Sequence, residues 1–313
     1  MDSGFFWHRL RKPILGLSPM DGVTDAAFRY LTAKHGKPDV IFTEFVATEG
    51  LIRGIPKLFE DLKYHEIERP IVAQIFGSEP EIFYKVAQMV CKLGFDGVDI
   101  NMGCPAKNIA DRGCGAALIL DPDRAKKIIR ETKRGVEGKI PVSVKTRLGY
   151  EKVVITDWVQ HLLEEEPAAI SIHGRTLKQM YRGDADWEAI GMAAKIIKQT
   201  STLVLGNGDI SSRDDALEKI KITGVDGVLI GRAAVGNPWI FQSDVSVTPD
   251  QRLQTLLEHA ERFEEYKGPR RFFEMNKHIK AYVRDFPEAG RLRESLYKTR
   301  SSEEMKVVMK GLS

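Results

Sequence analysis

The chain has 313 residues, 42% of them hydrophobic and 29% charged, and a formal net charge of +3 at pH 7. These are ordinary globular values, and no apolar run approaches the roughly 18 residues that a membrane span requires. The opening residues lack the apolar core and cleavage site of a secretory signal, so a cytoplasmic location is expected. The cysteines Cys91, Cys104 and Cys114 are odd in number and have no CxxC spacing, which argues against a disulfide framework or a zinc site.

Short apolar or β-branched runs alternate with helical patterns along most of the chain. Strands are expected at 14–18, 40–47, 71–77, 97–103, 142–149, 169–175, 203–210 and 227–236. After the third of them, Ser78 and Glu81 read as a capping box. Ile82, Val86, Met89, Val90 and Leu93 then share one helical face, and Gly94 stops the helix. Asp121 is a good N-cap with Pro122 at the first helical position, and Ser211 with Asp214 opens a helix ending near Gly224. Eight strand–helix units predict an α/β fold, a closed (β/α)8 TIM barrel. An open doubly wound sheet usually has fewer strands and a GxGxxG loop after its first strand, and no such loop occurs here.

No strand pattern returns beyond 247. Thr248 can cap a helix through Pro249, and Gly268-Pro269 separates that helix from the next. The expected division is a barrel over 1–247 and a small all-helical C-terminal domain over 248–313. Residues 266–300 hold ten Lys or Arg against four Asp or Glu, so that segment is +6 and the remainder −3. Such a segment is either a solvated basic helix face or a nucleic-acid surface.

A barrel of this kind carries its active site at the C-terminal ends of the strands, and here those ends are polar. They hold Pro19, Met20 and Asp21 after the first strand, Gln74 on the third, and Asn101 and Cys104 at the fourth. Lys145 and Arg147 lie on the fifth, and His173 and Arg175 on the sixth. Asn207, Gly208 and Asp209 end the seventh, and Gly231 and Arg232 the eighth. The last two loops bear glycine where barrels commonly hold phosphate through backbone N–H groups, so a phosphorylated cofactor is implied. Cys104, between Gly103 and Pro105, stands where packing has little need of sulfur, whereas Cys91 and Cys114 read as structural. By itself Lys145 is equally a salt-bridged strand-end lysine or the Schiff-base lysine of an aldolase. His173 and Arg175 could instead pair with acids on neighbouring loops. Glu44 and Asp99 read as partners of buried cations, and Phe272, Phe273 and Tyr282 as helical core in preference to a base-stacking platform.

The strings SPMDGVTD, QIFGSEP, DINMGCP, VKTRLG, IHGRT, NGDI and GVLIGRAAVGNPWIF resemble the dihydrouridine synthases, in order and across the barrel. MNKHIKAYVRDFPEAGRLR is similar to the bacterial B-type branch. The resemblance implies FMN as cofactor, with NADPH or NADH as electron donor, and a uracil of transfer RNA as substrate. It places Pro19, Met20 and Asp21 against the flavin, Gln74 at the ring's polar edge, and Lys145 where reduced flavin gathers negative charge. His173 joins them beside the substrate base, and Asn207, Gly208, Asp209, Gly231 and Arg232 hold the ribityl phosphate. Cys104 becomes the acid that protonates uracil C5 after hydride reaches C6, and it must start as a thiol. Asn101, Arg147 and Arg175 are assigned to substrate. Lys267, Arg270, Arg271, Lys277, Lys280 and Arg284, with Arg291 and Arg293, are assigned to RNA phosphates. The target base must leave its stack to enter a barrel mouth. A monomer with no membrane association and no metal is expected. The rival readings are an FMN barrel acting on a free pyrimidine and a non-catalytic RNA-binding protein. The first has no need of the basic terminal surface, and the second has no need of Cys104, Lys145 and His173 together.

Overall fold

A computed structural model describes residues 5–311; the outermost residues of both expected domain ranges, 1–4 and 312–313, lie outside them. The strands are β1 (Ile14–Leu17), β2 (Val40–Phe42), β3 (Val46–Ala47), β4 (Ile71–Phe76), β5 (Gly97–Met102), β6 (Val142–Arg147), β7 (Ala169–His173), β8 (Leu203–Asn207) and β9 (Gly227–Ile230). All pairings are parallel. β1 pairs with both β9 and β2, and β2 pairs with β4, so the ring β1-β2-β4-β5-β6-β7-β8-β9 closes. This is the expected (β/α)8 barrel. The second expected strand is divided, with β3 continuing beside the end of β4. At the break, the Thr43 hydroxyl accepts the Gln74 N–H at 3.0 Å, in place of a ladder carbonyl.

Inward-facing residues sort by height. At the closed end, Ile14, Val40, Phe42, Val72, Leu203, Leu205 and Leu229 form an apolar plug with Phe6 and Trp7, whose rings stack 4.8 Å apart. Towards the other end, β4 to β8 carry polar residues: Gln74, Asp99, Asn101, Ser143, Ser171 and Asn207 are all buried. A barrel interior is a packed core, so polar side chains there must satisfy one another or a ligand.

The helix starts follow local chemistry with two displacements. Pro80 occupies the first helical position of Pro80–Lys92, so Glu79 rather than Ser78 precedes the helix, and no side chain caps it. Ser212 rather than Ser211 caps Arg213–Thr223, accepting the Asp215 N–H, while Ser211 bonds the Asp215 carboxylate. Asp121 caps Pro122–Val136, and Gly224 ends its helix in the left-handed conformation, both as expected.

After β9 the described chain is helical. Thr248 and Gln251 form a reciprocal capping box on Pro249–Lys267. Gly268, at φ 77°, turns the chain into a 3-10 segment, Pro269–Met275, which leads into helix Asn276–Tyr282. These helices have their own core of Leu256, Ala260, Phe263, Phe272, Met275, Ile279, Tyr282, Leu292 and Leu296, and it reaches the barrel through Ala27. Lys267 bonds Asp61 at 2.7 Å and Lys34 bonds Glu258 at 2.6 Å, fastening them to the barrel's side and rim.

Candidate active site

The loop after β5 is set by a chain of hydrogen bonds across three strands. Asp99 accepts from the Ser143 hydroxyl at 2.6 Å and from Gln74 Nε2 at 2.7 Å. That fixes the orientation of the Gln74 amide, so its Oε1 accepts from Asn101 Nδ2 at 3.0 Å. Asn101 Oδ1 is thereby turned outward, where it accepts the N–H groups of Gly103, at 3.0 Å, and Cys104. Arg147 Nε bonds the Gly103 carbonyl at 2.5 Å from the other side. The position of Cys104 is therefore dictated by polar groups on its own strand and on the two neighbouring strands, β4 and β6. Asp99 was expected to partner a buried cation; Lys145 is near enough to act on it, but the hydrogen-bond partners of the carboxylate are a neutral amide and a hydroxyl, and burial pushes it up to about 6 against all three.

Cys104 is 7% exposed and packs with Phe76, Ile109 and Cys114. Burial raises its pKa, opposed by the Ala106 N–H and the cations Arg147 and Lys145 and reinforced by Asp21. It is therefore a thiol at neutral pH. Such a group gives up a proton rather than attacking as an anion.

Facing it is a wall of cations. Lys145 donates to Asn207 Oδ1 at 3.1 Å, its one hydrogen bond among the described residues, and desolvation with the nearby Arg147 lowers its pKa to about 8. The Nδ1 atom of His173 is buried with no partner among the described residues, and desolvation and the neighbouring cations depress the ring to about 2. His173 is thus a neutral imidazole. Asp209, at φ 50°, accepts from Arg175 at 3.1 and 2.5 Å, from Arg232 at 2.5 Å and from the Ala185 N–H at 2.8 Å. Burial pushes this carboxyl up, but the Arg175 hydrogen bonds outweigh it and hold the pKa below its usual value. Arg175 is 3% exposed and also bonds the Gly183 carbonyl at 2.5 Å, so it organises the rim from within. Arg147, 5% exposed, does the same through the Thr176 and Met180 carbonyls. Gly208 adopts φ 125°, and a Cβ there would lie 2.7 Å from that of Ala185. Only glycine suits that close turn.

Pro19 and Met20 are half-buried at the rim, and a Cβ on Gly231 would come within 3.3 Å of Met20 Sδ, so the loops after β1 and β9 meet. Asp21 is exposed beside Gly22, whose N–H bonds Glu44 at 2.6 Å. Glu44 was expected to pair with a cation; its hydrogen bond is to this backbone amide, and burial with the nearby Asp25 raises it to about 7. Arg232 remains exposed over the ring of Tyr181, itself 66% exposed. The sequence reading missed Tyr181; its signal was an aromatic set among polar residues, QMYRGD, just beyond a strand end.

The basic residues of the helical region divide. Lys267 is committed to Asp61, Arg271 bonds Glu274 at 2.6 Å, and Lys277 donates to the Gly22 carbonyl. Arg270, Lys280 and Arg284 are exposed.

The mouth thus holds a lysine with one neutral partner, an imidazole with an open nitrogen, an exposed guanidinium and a buried thiol. This donor set suits an anionic, hydrogen-bonding ligand. A family model described as dihydrouridine synthase (Dus) matches residues 16–310. The chain belongs to the dihydrouridine synthase family. Within that family it is 40% identical over 312 residues to a probable tRNA-dihydrouridine synthase of Staphylococcus aureus (strain COL), spanning 97% of this chain and 94% of the relative. It is 38% identical to the probable tRNA-dihydrouridine synthase 2 of Bacillus subtilis (strain 168), spanning 97% and 95%. Among solved structures it resembles 6-hydroxypseudooxynicotine amine oxidase of Pseudomonas geniculata N1, with TM-score 0.55 and 13% identity over 75% of this chain and 48% of that one. Histamine dehydrogenase of Rhizobium sp. 4-9 is similar at TM-score 0.53 and 12% identity over 88% and 51%. The chain spans about half the length of either structure, and these likenesses concern the fold alone.

Proposed function

We propose that the protein is a tRNA-dihydrouridine synthase that reduces the C5–C6 double bond of uridines in transfer RNA, with FMN in the barrel mouth and NADPH or NADH as electron donor. The observation that carries this reading is the juxtaposition of a protonated thiol, Cys104, with the cation Lys145 at the strand ends of a chain of this family. The donor set fits FMN: Lys145 is desolvated with a single neutral acceptor, and His173 has an unused ring nitrogen.

The chemistry FMN supplies when bound is delivery of a hydride to uracil C6, which leaves negative charge over C5 and O4. Cys104 donates its proton to C5, and its sulfur is reprotonated from solvent for the next turnover. Asn101 holds the backbone on which that thiol stands. Lys145 balances negative charge on the flavin edge, and the neutral His173 offers a hydrogen bond without adding charge. Pro19, Met20 and Asp21 line the flavin, and Gln74 contributes through the amide chain that it orders. Asn207, Gly208, Asp209, Gly231 and Arg232 form the phosphate end. Arg147 and Arg175 hold the rim that receives the flipped base, and Tyr181 offers it a stacking surface.

Residues 248–313 form the RNA-binding part, with Arg270, Lys277, Lys280 and Arg284 on its open face. Lys267 and Arg271 support that face through their ion pairs. No described helix is long and apolar enough to cross a membrane. A cytoplasmic monomer suits a surface that must stay open to a large RNA.

Purified protein incubated with NADPH and unmodified transfer RNA should yield dihydrouridine, read by nucleoside mass spectrometry. A yellow, FMN-loaded protein with no product on RNA but turnover of a free pyrimidine would move the reading to a small substrate. A colourless protein that binds RNA would make it a binding protein.

A further inference from the structure

The segment from Arg270 to Arg284 is two-sided. Phe272, Met275, His278, Ile279, Tyr282 and Val283 are buried on one side. On the other, Arg270, Phe273, Lys277, Lys280 and Arg284 are all exposed. Their spacings alternate between three and four residues. Across a 3-10 turn running into an α-helix, that alternation keeps Arg270, Phe273, Lys277 and Lys280 in a single stripe, and Arg284 follows just past the helix end at Tyr282.

Phe273 does not fit a merely solvated basic face. It was expected in the core, yet 58% of it is in water while Phe272 beside it is 2% exposed. Arg270 and Lys280, which bracket it, have no ion-pair or hydrogen-bond partner among the described residues. Lys277 reaches the Gly22 carbonyl in the loop after β1, so the stripe runs along the edge of the barrel mouth.

We propose that Phe273 is a stacking platform for a nucleobase of the RNA substrate, with Arg270 and Lys280 taking the phosphates on either side of that base. This rests on the transfer-RNA reading above and adds to it a specific contact outside the catalytic pocket. An apolar protein surface would cover the ring but leave two unpaired cations at its edge. A polyanion with flat bases satisfies both, because every base has a π-face and every nucleotide a phosphate. Folded RNA offers unstacked bases in its loops.

The test is binding of an unmodified transfer RNA transcript across a range of salt concentrations, for the wild type, Phe273→Ala, Phe273→Tyr and Lys280→Met. Phe273→Ala should weaken binding about five- to a hundred-fold without changing the slope of log affinity against log salt. Phe273→Tyr should bind as the wild type does, and Lys280→Met should reduce the slope by about one. In turnover, the Phe273→Ala defect should fall on the Michaelis constant for RNA. An unchanged melting temperature will exclude misfolding, since the ring is on the surface. Wild-type binding with an unaffected Phe273→Ala overturns this inference alone; a wild type that binds no transfer RNA removes the functional reading as well. A wild type that self-associates through the ring, with RNA binding intact in the alanine variant, overturns it in favour of a second copy of the chain.

Discussion

Cys104 has a proton to give because burial holds its pKa up, and it is held in place because Asn101 accepts its N–H. Alanine keeps that N–H and loses only the acid. Cys104→Ala should therefore retain FMN and lower single-turnover reduction of the RNA by about 10²- to 10⁴-fold. Equal rates in the two proteins would assign the proton to another group. Lys145 gives a second prediction, on pH. Its folded pKa is about 8, below its unfolded value of about 10.4, so its charge is present below pH 8 and lost above it. An anionic ligand edge stabilises the charged form, so binding takes up a proton where the free site has lost one. FMN affinity, followed by fluorescence titration, should be level near neutrality and weaken as pH rises past about 8. Lys145→Met should bind more weakly and lack that dependence. Between those two pKa values the unfolded chain holds more protons than the folded one, so without ligand this lysine makes stability rise with pH.

Among the elements, helix Ala26–Gly36 is tied to the segment leading into β4 by a buried ion pair. Arg29 Nε meets Glu68 at 2.7 Å with both side chains 0% exposed, and the guanidinium also bonds the carbonyls of Thr24, at 2.8 Å, and Lys63, at 2.5 Å. Glu68→Ala leaves that charge buried and uncompensated, which costs about 3–5 kcal/mol. The denaturation midpoint should fall accordingly, and Glu68→Gln, which keeps an acceptor, should lose less. The pair joins residues 39 apart, and nothing in the local sequence links them. That marks where reading the sequence stops. The barrel was legible because parallel strands covered on both faces appear as apolar runs, and helix caps such as Asp121 and Thr248 act within three residues. Two helix starts moved by one residue, the first because Pro80 takes the first helical position and the second because Ser211 and Ser212 stood side by side. The strand-end residues that converge on the mouth were legible from motif order. The donors to Asp99 and Glu44, the commitment of Lys267 to Asp61, and the exposure of Phe273 depend on what folds against them. Residue type alone does not specify that.

At the scale of the whole molecule, barrel and helical region share a buried aromatic joint. His259 and His278 are 0% exposed, their rings are 4.5 Å apart, and Phe28 from helix Ala26–Gly36 lies 5.9 and 5.7 Å from them. Neither ring has a hydrogen-bond partner among the described residues. Desolvation lowers His259 to about 4, with Lys277 adding to the shift and Asp25 and Glu258 opposing it; His278 is likewise held well below its ordinary value by desolvation, His259 and Lys277. Tyr282 closes the cluster 5.9 Å from His259. Unfolded, both imidazoles titrate near 6.5, so between there and about 4 the unfolded chain binds protons that the folded joint refuses. Stability therefore falls as pH drops through that window, by up to about 1.4 kcal/mol per pH unit for each histidine. Thermal melts should show the transition moving down from neutral pH towards about pH 4.5, with the helical region released no later than the barrel. His278→Leu keeps the joint apolar and removes one of its two titrating groups, so its transition should move less over the same range. A variant as acid-sensitive as the wild type would place the pH dependence outside the joint; Glu44 and Asp21 would not account for it, because their carboxyls are raised in the folded state and so add stability as pH falls.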